Sequence, residues 1–183
     1  MLSSAFRAGN KLLVCGSGGS AADSDHIVGE LMKGFELPRP ISDSLRERLL
    51  SIDTDRGVYL AGKLQRVLPA IALTGHTALS TAIANDTAGD MTFAQQVLGY
   101  GVPGDVLLAL STSGRSASVL NALHTARALG LRTIGMSGAS GGSLLALCDV
   151  VICAPFERTF EIQERHLAIY HALCRSLELE FFG

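Results

Sequence analysis

The sequence predicts an α/β fold in which a parallel sheet is covered by helices on both faces. Five short apolar runs recur along the chain, and each is continuous rather than alternating in polarity. Continuous apolar runs are typical of strands buried on both faces, and strand–helix alternation is typical of parallel sheets with right-handed crossovers. The predicted strands are Lys11–Cys15, Ala70–Leu73, Val106–Leu110, Thr133–Met136 and Val150–Ala154.

Helical patterns fill the segments between these strands. The charged segment 43–66 departs from the alternation and predicts one or two solvent-facing helices inserted after Pro38-Arg39-Pro40. Because no repeat or linker interrupts the chain, we expect a single domain over residues 1–183. The other predicted helices are Ala21–Lys33, Ala78–Ala84, Phe93–Gly99, Ala117–Leu129, Gly142–Leu147 and Phe160–Phe182, the last with apolar positions at 162, 167, 170, 173, 174 and 177.

Composition and charge exclude several classes of function. The formal net charge of -2, with Lys and Arg scattered, gives no basic surface for nucleic acid. No apolar run approaches the roughly 18 residues of a membrane helix, and the first residues lack the apolar core of a secretory signal. A hydrophobic content of 48% without Trp favours an oligomer that buries helical faces. Without CxxC spacing, we expect free thiols in a reducing cytoplasm at Cys15, Cys148, Cys153 and Cys174.

Two loops rich in Gly, Ser and Thr follow predicted strands and precede predicted helices. They are Gly16–Ser20 and Ser111–Ser116. Hydroxyls and the free N–H groups of a helix N-terminus suit an anion, although Ser and Thr also favour turns and N-caps. Neither loop is a P-loop, and Ala21 stands where a dinucleotide fingerprint has its third Gly. We therefore expect a phosphorylated metabolite and no nucleotide cofactor.

His26 and Glu30 lie one turn apart on a predicted helix, a spacing that suits metal binding or proton transfer. Burial of Glu30 among apolar neighbours would raise its pKa toward that of a useful general base, whereas a surface Glu is the plain alternative. His171 has apolar neighbours, which are more typical of a core histidine than of a catalyst, while His166 lies among charges and is expected on a solvated face.

Along a straight helix Glu30 lies roughly 15 Å from Ser20. One short sugar phosphate therefore cannot bind at that helix N-terminus and also reach Glu30. Three arrangements remain open: a long substrate, a phosphate bound on the 111–116 loop, or a site shared with another subunit.

Jointly, these segments resemble the SIS (sugar isomerase) domain proteins, close to the phosphoheptose isomerases. The matching segments span nearly the whole chain, and together they are highly specific. They are Gly16–His26 with Glu30, Ala84-Asn85-Asp86, Phe93–Val97, Gly104–Ser116, and Glu161–Glu164 followed by His171.

The resemblance implies a three-layer α/β/α sandwich with a five-stranded parallel sheet, and a homotetramer (or homodimer) with active sites shared between subunits. It implies conversion of sedoheptulose 7-phosphate to D-glycero-D-manno-heptose 7-phosphate through an enediol(ate), with Glu30 and His171 as the catalytic acid/base pair. It also implies a possible zinc ion on residues matching His26, Glu30, Gln163 and His171. The implied substrate-binding residues are Ser17, Gly18, Gly19, Ser20, Asp86, Ser111, Thr112, Ser113, Ser116 and Gln163.

The chain departs from the family pattern at several points. Ser17 and Arg115 stand where the family usually has Asn, the 43–66 segment looks longer, and only ten residues precede Lys11. Gln163 and His171 are about 12 Å apart along a regular helix, so joint metal ligation needs a distorted helix or two subunits. Two alternatives remain: an isomerase of another phosphosugar, or a non-catalytic SIS module that binds sugar phosphates or a replication initiator.

Overall fold

A five-stranded, all-parallel sheet forms the centre of the computed structural model, which describes residues 1–183. The spatial order is β2-β1-β3-β4-β5, with β1 in register against both β2 and β3. This confirms the α/β fold class that the sequence predicts. The strands are β1 (Leu12–Gly16), β2 (Ala70–Ala72), β3 (Val106–Leu110), β4 (Arg132–Ser137) and β5 (Val150–Cys153).

Helices cover both faces of the sheet, and each face has its own apolar core. Alternate residues of a strand point to opposite faces, so Leu12 and Val14 join one core while Leu13 and Cys15 join the other. The helices are α1 (Leu2–Arg7), α2 (Gly19–Met32), α3 (Asp43–Ile52), α4 (Thr54–Lys63), α5 (Thr77–Asp86), α6 (Thr92–Tyr100), α7 (Ala117–Ala128), α8 (Leu144–Leu147) and α9 (Thr159–Phe182).

The first core takes its helical residues from α1, α2 and α9, and the second takes its own from α6, α7 and α8. The result is a three-layer sandwich. None of these helices combines the length and the apolar character needed to cross a membrane.

Strand order places a crevice between the carboxyl ends of β1 and β3. The chain leaves β1 for β2 on one side, and β3 pairs with β1 on the other side. In parallel α/β sheets, ligands bind at such a reversal of strand order. Both Gly/Ser-rich loops, Gly16–Ser20 and Ser111–Ser116, border this crevice because they follow β1 and β3 directly.

Two helices occupy the charged segment between β1 and β2. Helices α3 and α4 pack against each other, with no buried residue in α3 and only Gly57 buried in α4. Ser42 and Asp53 cap them by accepting hydrogen bonds from the backbone N–H groups of Leu45 and Arg56. The helix pair α3 and α4 thus adds little to either apolar core.

Helix α9 buries a stripe that differs from the predicted one. The prediction that His166 lies on a solvated face is wrong, because its side chain is fully buried. Leu167, predicted on the apolar face, is 42% exposed. From Ile162 onward, the buried positions follow one another mostly at intervals of three or four residues, as expected for one face of a helix. Polar residues occupy some of these positions, so a prediction based on apolar residues alone missed them. The buried residues of α9 are Ile162, His166, Tyr170, Cys174, Leu177 and Glu178.

A buried ion pair fixes the end of α2. Arg39 and Glu178 have side chains 0% and 1% exposed, and Arg39 Nε donates to Glu178 Oε1 at 2.8 Å. The guanidinium also donates to the carbonyls of Leu31 and Glu30 at 2.8 and 3.0 Å. These carbonyls belong to the last turn of α2, where a helix lacks internal donors. Arg39 therefore ties α2 to α9.

The carboxylate of Glu178 completes this arrangement. It accepts hydrogen bonds from the backbone N–H groups of Phe35, Glu36 and Leu37 at 2.8, 2.7 and 3.1 Å. Although burial opposes the charge, these bonds and Arg39 hold the pKa of Glu178 below its usual range.

We expect Arg39→Met to lower the free energy of unfolding by about 3 to 5 kcal/mol, because Glu178 would remain buried without its counter-charge. The matched control is Arg175→Met. Arg175 bonds Glu36 of the same segment at 2.7 Å, but both side chains are largely exposed. That loss should stay below about 1 kcal/mol. Urea unfolding of both variants gives the comparison, and equal losses would contradict the assigned role of the buried pair.

Candidate active site

Helix α2 begins at the crevice because glycines allow a sharp turn after β1. Gly18 has a φ of +61°, in the left-handed region, and serves as the N-cap of the helix. A side chain at Gly19 would collide with the amide of Gln163 on α9. Ser20 is buried, whereas Ser17 is exposed and lines the crevice. The loop thus presents Ser17 and backbone groups to a ligand.

The loop after β3 folds back on itself before α7. Gly114 has a φ of +64°, and a Cβ there would collide with the backbone of Gly141. Ser111 Oγ accepts from the N–H of Ser116 at 3.4 Å, and Ser113 Oγ accepts from the N–H of Arg115 at 3.2 Å. Ser116 is the N-cap of α7, so the free N–H groups of that helix point toward the loop. Such an arrangement suits an anion.

Two cavities flank this loop. One, of about 300 Å³, lies between the ends of β1 and β3 and is lined by Ser17, Thr74 and Ser118 among others. The other, of about 260 Å³, lies toward β4 and β5 and includes Thr112, Ser113, Arg115, Gly138 and Phe156 in its lining. The 111–116 loop itself lines the second cavity with Thr112 and Ser113, whereas the first cavity is lined from this part of the chain by Ser118, just beyond the loop.

His26, Glu30 and His171 come together where α2 packs against α9. His26 Nε2 lies 3.2 Å from Glu30 Oε1, and the rings of His26 and His171 have centroids 5.0 Å apart in an edge-to-face arrangement. The side chain of Glu30 is 12% exposed, and Lys33 Nζ lies 3.4 Å from its other oxygen. His171 Nε2 is buried with no partner in the chain. The His26 ring thus has two neighbours: the carboxylate of Glu30, and the ring of His171, whose Nε2 has no partner.

Sequence reasoning missed Tyr170 and Asp23, which extend this cluster into the interior. The Tyr170 hydroxyl oxygen lies 2.9 Å from His26 Nδ1 and 3.4 Å from Asp23 Oδ1. Burial is the main cause that raises the pKa of Asp23. The signal was present in the helical periodicity, because Asp23, His26 and Glu30 share one face of α2 at spacings of three and four.

His166 lies one helical turn before Tyr170 on the buried face of α9. Its Nε2 lies 3.2 Å from the backbone carbonyl oxygen of Ser137, while its Nδ1 has no partner. Burial lowers the pKa of His166 and so favours the neutral ring.

Gln163 does not join the His26 cluster within one chain. Helices α2 and α9 run side by side in the same direction, because Gly19 meets Gln163 and His26 meets Tyr170. The regular helix α9 places Gln163 about 12 Å from His171 along its axis. No three His, Cys, Asp or Glu side chains are arranged around a common point as metal ligands. The four residues named for zinc therefore do not fit a zinc site within one chain.

Asp86 also lies apart from the other candidate residues. It is exposed at the last position of α5, where Asn85 Nδ2 donates to its carboxylate at 2.8 Å, and it lines neither cavity. The chain thus presents two separate groups of candidate residues: hydroxyl-rich loops at the strand ends, and an acid/base cluster farther along α2.

Comparisons with known proteins identify the family to which this fold belongs. The SIS domain model matches residues 55–138. The phosphoheptose isomerase of a Bradyrhizobium species is 44% identical over 95% of this chain and 75% of that protein. The phosphoheptose isomerase of Trichlorobacter lovleyi is 40% identical over 97% and 78%.

Solved structures give the same result. The phosphoheptose isomerase of Neisseria gonorrhoeae has a TM-score of 0.77 at 33% identity, over 97% of this chain and 80% of that one. The corresponding Francisella tularensis structure has a TM-score of 0.79 at 31% identity, over 97% and 81%. Since sequence and fold agree over most of each chain, this protein belongs to the phosphoheptose isomerase family.

Proposed function

We propose that this protein interconverts sedoheptulose 7-phosphate and D-glycero-D-manno-heptose 7-phosphate, with Glu30 and His171 as the acid/base pair. Membership of the phosphoheptose isomerase family makes it an aldose–ketose isomerase. The observation that carries the assignment of roles is the meeting of α2 and α9. His171 packs on the His26 ring, and Glu30 bonds to that same ring.

The chemistry requires a proton to move between two adjacent carbons. In the open-chain ketose, a base removes a proton from C1, the electrons shift to give an enediol(ate), and a proton is then delivered to C2. Glu30 carries the carbon-bound proton, since its carboxylate is held by two neighbours in a largely buried position. His171 Nε2, which has no partner in the chain, exchanges protons with the oxygens on C1 and C2.

The phosphate binds at the 111–116 loop in this proposal. Ser111, Thr112, Ser113 and Ser116 supply hydroxyl donors, and α7 adds its N-terminal amides. The Gly16–Ser20 loop lies across the crevice and contacts the sugar. Arg115, exposed beside Thr112 and Ser113 in the second cavity, adds a positive charge to the same loop.

We propose that the complete site combines groups from two copies of the chain in a homotetramer or homodimer. Ser20, at the crevice, and Glu30 are separated by roughly 15 Å along α2. Gln163 and Asp86 also lie away from the acid/base cluster. A second copy that brings its strand-end loops to Glu30 and His171 removes this separation.

The implied zinc ion belongs to the same two-chain arrangement. Its ligands, drawn from His26, Glu30, Gln163 and His171, would come from two copies, because the candidate ligands of one chain do not surround a common point. When bound, the ion would polarise the substrate carbonyl. The proton transfers above are assigned to Glu30 and His171 alone.

Glu30→Gln and His171→Ala should each reduce kcat by at least about 100-fold, because each removes one partner of the proton transfer. The measurement is NMR of product formation from a panel of ketose phosphates, with and without added zinc or chelator. His124→Ala, at an exposed position of α7, is the matched control and should retain full activity. Near-normal rates in either site variant, at unchanged helical content, would contradict the assigned roles.

A mixing experiment tests the shared site. Glu30→Gln and a Ser111→Ala/Ser113→Ala double variant should each be inactive alone. When the two are refolded together, mixed oligomers should regain activity, because some sites combine an intact loop from one chain with an intact Glu30 from the other. Sedimentation should show an oligomer at micromolar concentration. A strict monomer, or no recovery from a mixture shown to form mixed oligomers, would contradict the shared site.

A further inference from the structure

The two cavities beside the 111–116 loop differ in charge. The first cavity, between the ends of β1 and β3, has no charged residue in its lining, which consists of glycines and of apolar or hydroxyl-bearing residues. The second cavity, toward β4 and β5, is lined by Arg115 together with Thr112 and Ser113. A cation beside hydroxyl donors suits a phosphate, whereas a neutral lining rich in hydroxyls suits the uncharged part of a sugar.

Arg115 is a cation without a partner in its own chain. Eight ion pairs form within the chain, and none of them includes Arg115. Its backbone N–H donates to Ser113 Oγ at 3.2 Å, but its exposed guanidinium donates to no acceptor of the chain. The one carboxylate in the lining of the second cavity belongs to Glu157, which is exposed and also unpaired. The guanidinium is therefore free to pair with an anion that enters this cavity.

Backbone hydrogen bonds hold the loop against the opposite side of the second cavity. The N–H of Gly138 donates to the carbonyl of Thr112, and the N–H of Ser143 donates to the carbonyl of Gly114, both at 2.9 Å. The backbone N–H groups of Thr112 and Ser113 themselves donate to no acceptor of the chain. The loop is thus fixed in position while two of its backbone donors remain available to a ligand.

We propose that the second cavity receives the phosphate of the substrate, and that Arg115 is the specificity-determining residue that pairs with it. This inference rests on the proposed function for the identity of the substrate. A guanidinium can donate two parallel hydrogen bonds to a phosphate, and such charge-assisted bonds are roughly twice as strong as neutral ones. Arg115 therefore favours phosphorylated ketoses over ketoses that carry no phosphate.

Arg115→Asn removes the charge and keeps a hydrogen-bond donor. We expect KM for the ketose phosphate to rise about tenfold and kcat to change less than about twofold, because the phosphate keeps the same contact before and during proton transfer. Arg115→Lys keeps the charge but loses the paired donors, so its KM should lie between the two.

Arg165→Asn is the matched control. Arg165 is also exposed, and its guanidinium carbon lies 5.0 Å from the centre of the Phe156 ring, which lines the second cavity. Arg165 itself does not line that cavity. Its substitution should leave KM and kcat unchanged.

Inorganic phosphate supplies a readout that does not depend on turnover. In a ³¹P NMR titration, the unmutated protein should bind phosphate about tenfold more tightly than Arg115→Asn does, and added salt should reduce this difference because it screens an exposed charge. Arg165→Asn should bind phosphate as the unmutated protein does.

The outcomes separate the two proposals. A folded Arg115→Asn variant with unaltered KM or unaltered phosphate affinity would overturn the role of Arg115, and so would an equal loss in Arg165→Asn. If the unmutated protein isomerises no ketose phosphate, the proposed function fails, and the phosphate titration still decides whether Arg115 binds the anion.

Discussion

The packing of α2 against α9 is the contact on which the rest of this molecule depends. The two helices run side by side in the same direction, and polar side chains line much of their contact. It contains the Tyr170–His26 hydrogen bond, the facing rings of His26 and His171, and the Arg39–Glu178 ion pair beyond the end of α2. Buried polar groups are costly unless they are partnered, so these pairs require one register of the two helices.

This register also keeps the two groups of candidate residues apart: the hydroxyl-rich loops at the strand ends, and the cluster of His26, Glu30 and His171. Helix α2 has its N-terminus at the crevice and Glu30 in its last turn, where Arg39 donates hydrogen bonds to the backbone carbonyls of Glu30 and Leu31. The two ends of one helix cannot approach each other. The same packing that orients Glu30 and His171 therefore keeps them away from the loops of their own chain, which is the reason for the proposal that a second copy supplies those loops.

Much of the fold was predictable because buried parallel strands leave a clear apolar signal. The strands, the two Gly/Ser-rich loops and the i, i+4 pair His26/Glu30 could all be found in the sequence. Burial within α9 could not, because neighbouring charges suggested a solvated His166, whereas the structure buries it against the carbonyl of Ser137. The contacts that Tyr170 makes with α2 could not be found either, because a single sequence does not reveal partners in another helix. The shared face of Asp23, His26 and Glu30 on α2, in contrast, was readable from their spacing.

The central claim is that Glu30 moves the carbon-bound proton. The most direct test is NMR of the reaction of sedoheptulose 7-phosphate in D₂O. The account predicts that unmutated protein forms the aldose with deuterium at C2, and that Glu30→Gln gives neither product nor deuterium exchange at C1 of the ketose. Deuterium incorporation by Glu30→Gln at the unmutated rate would contradict the account.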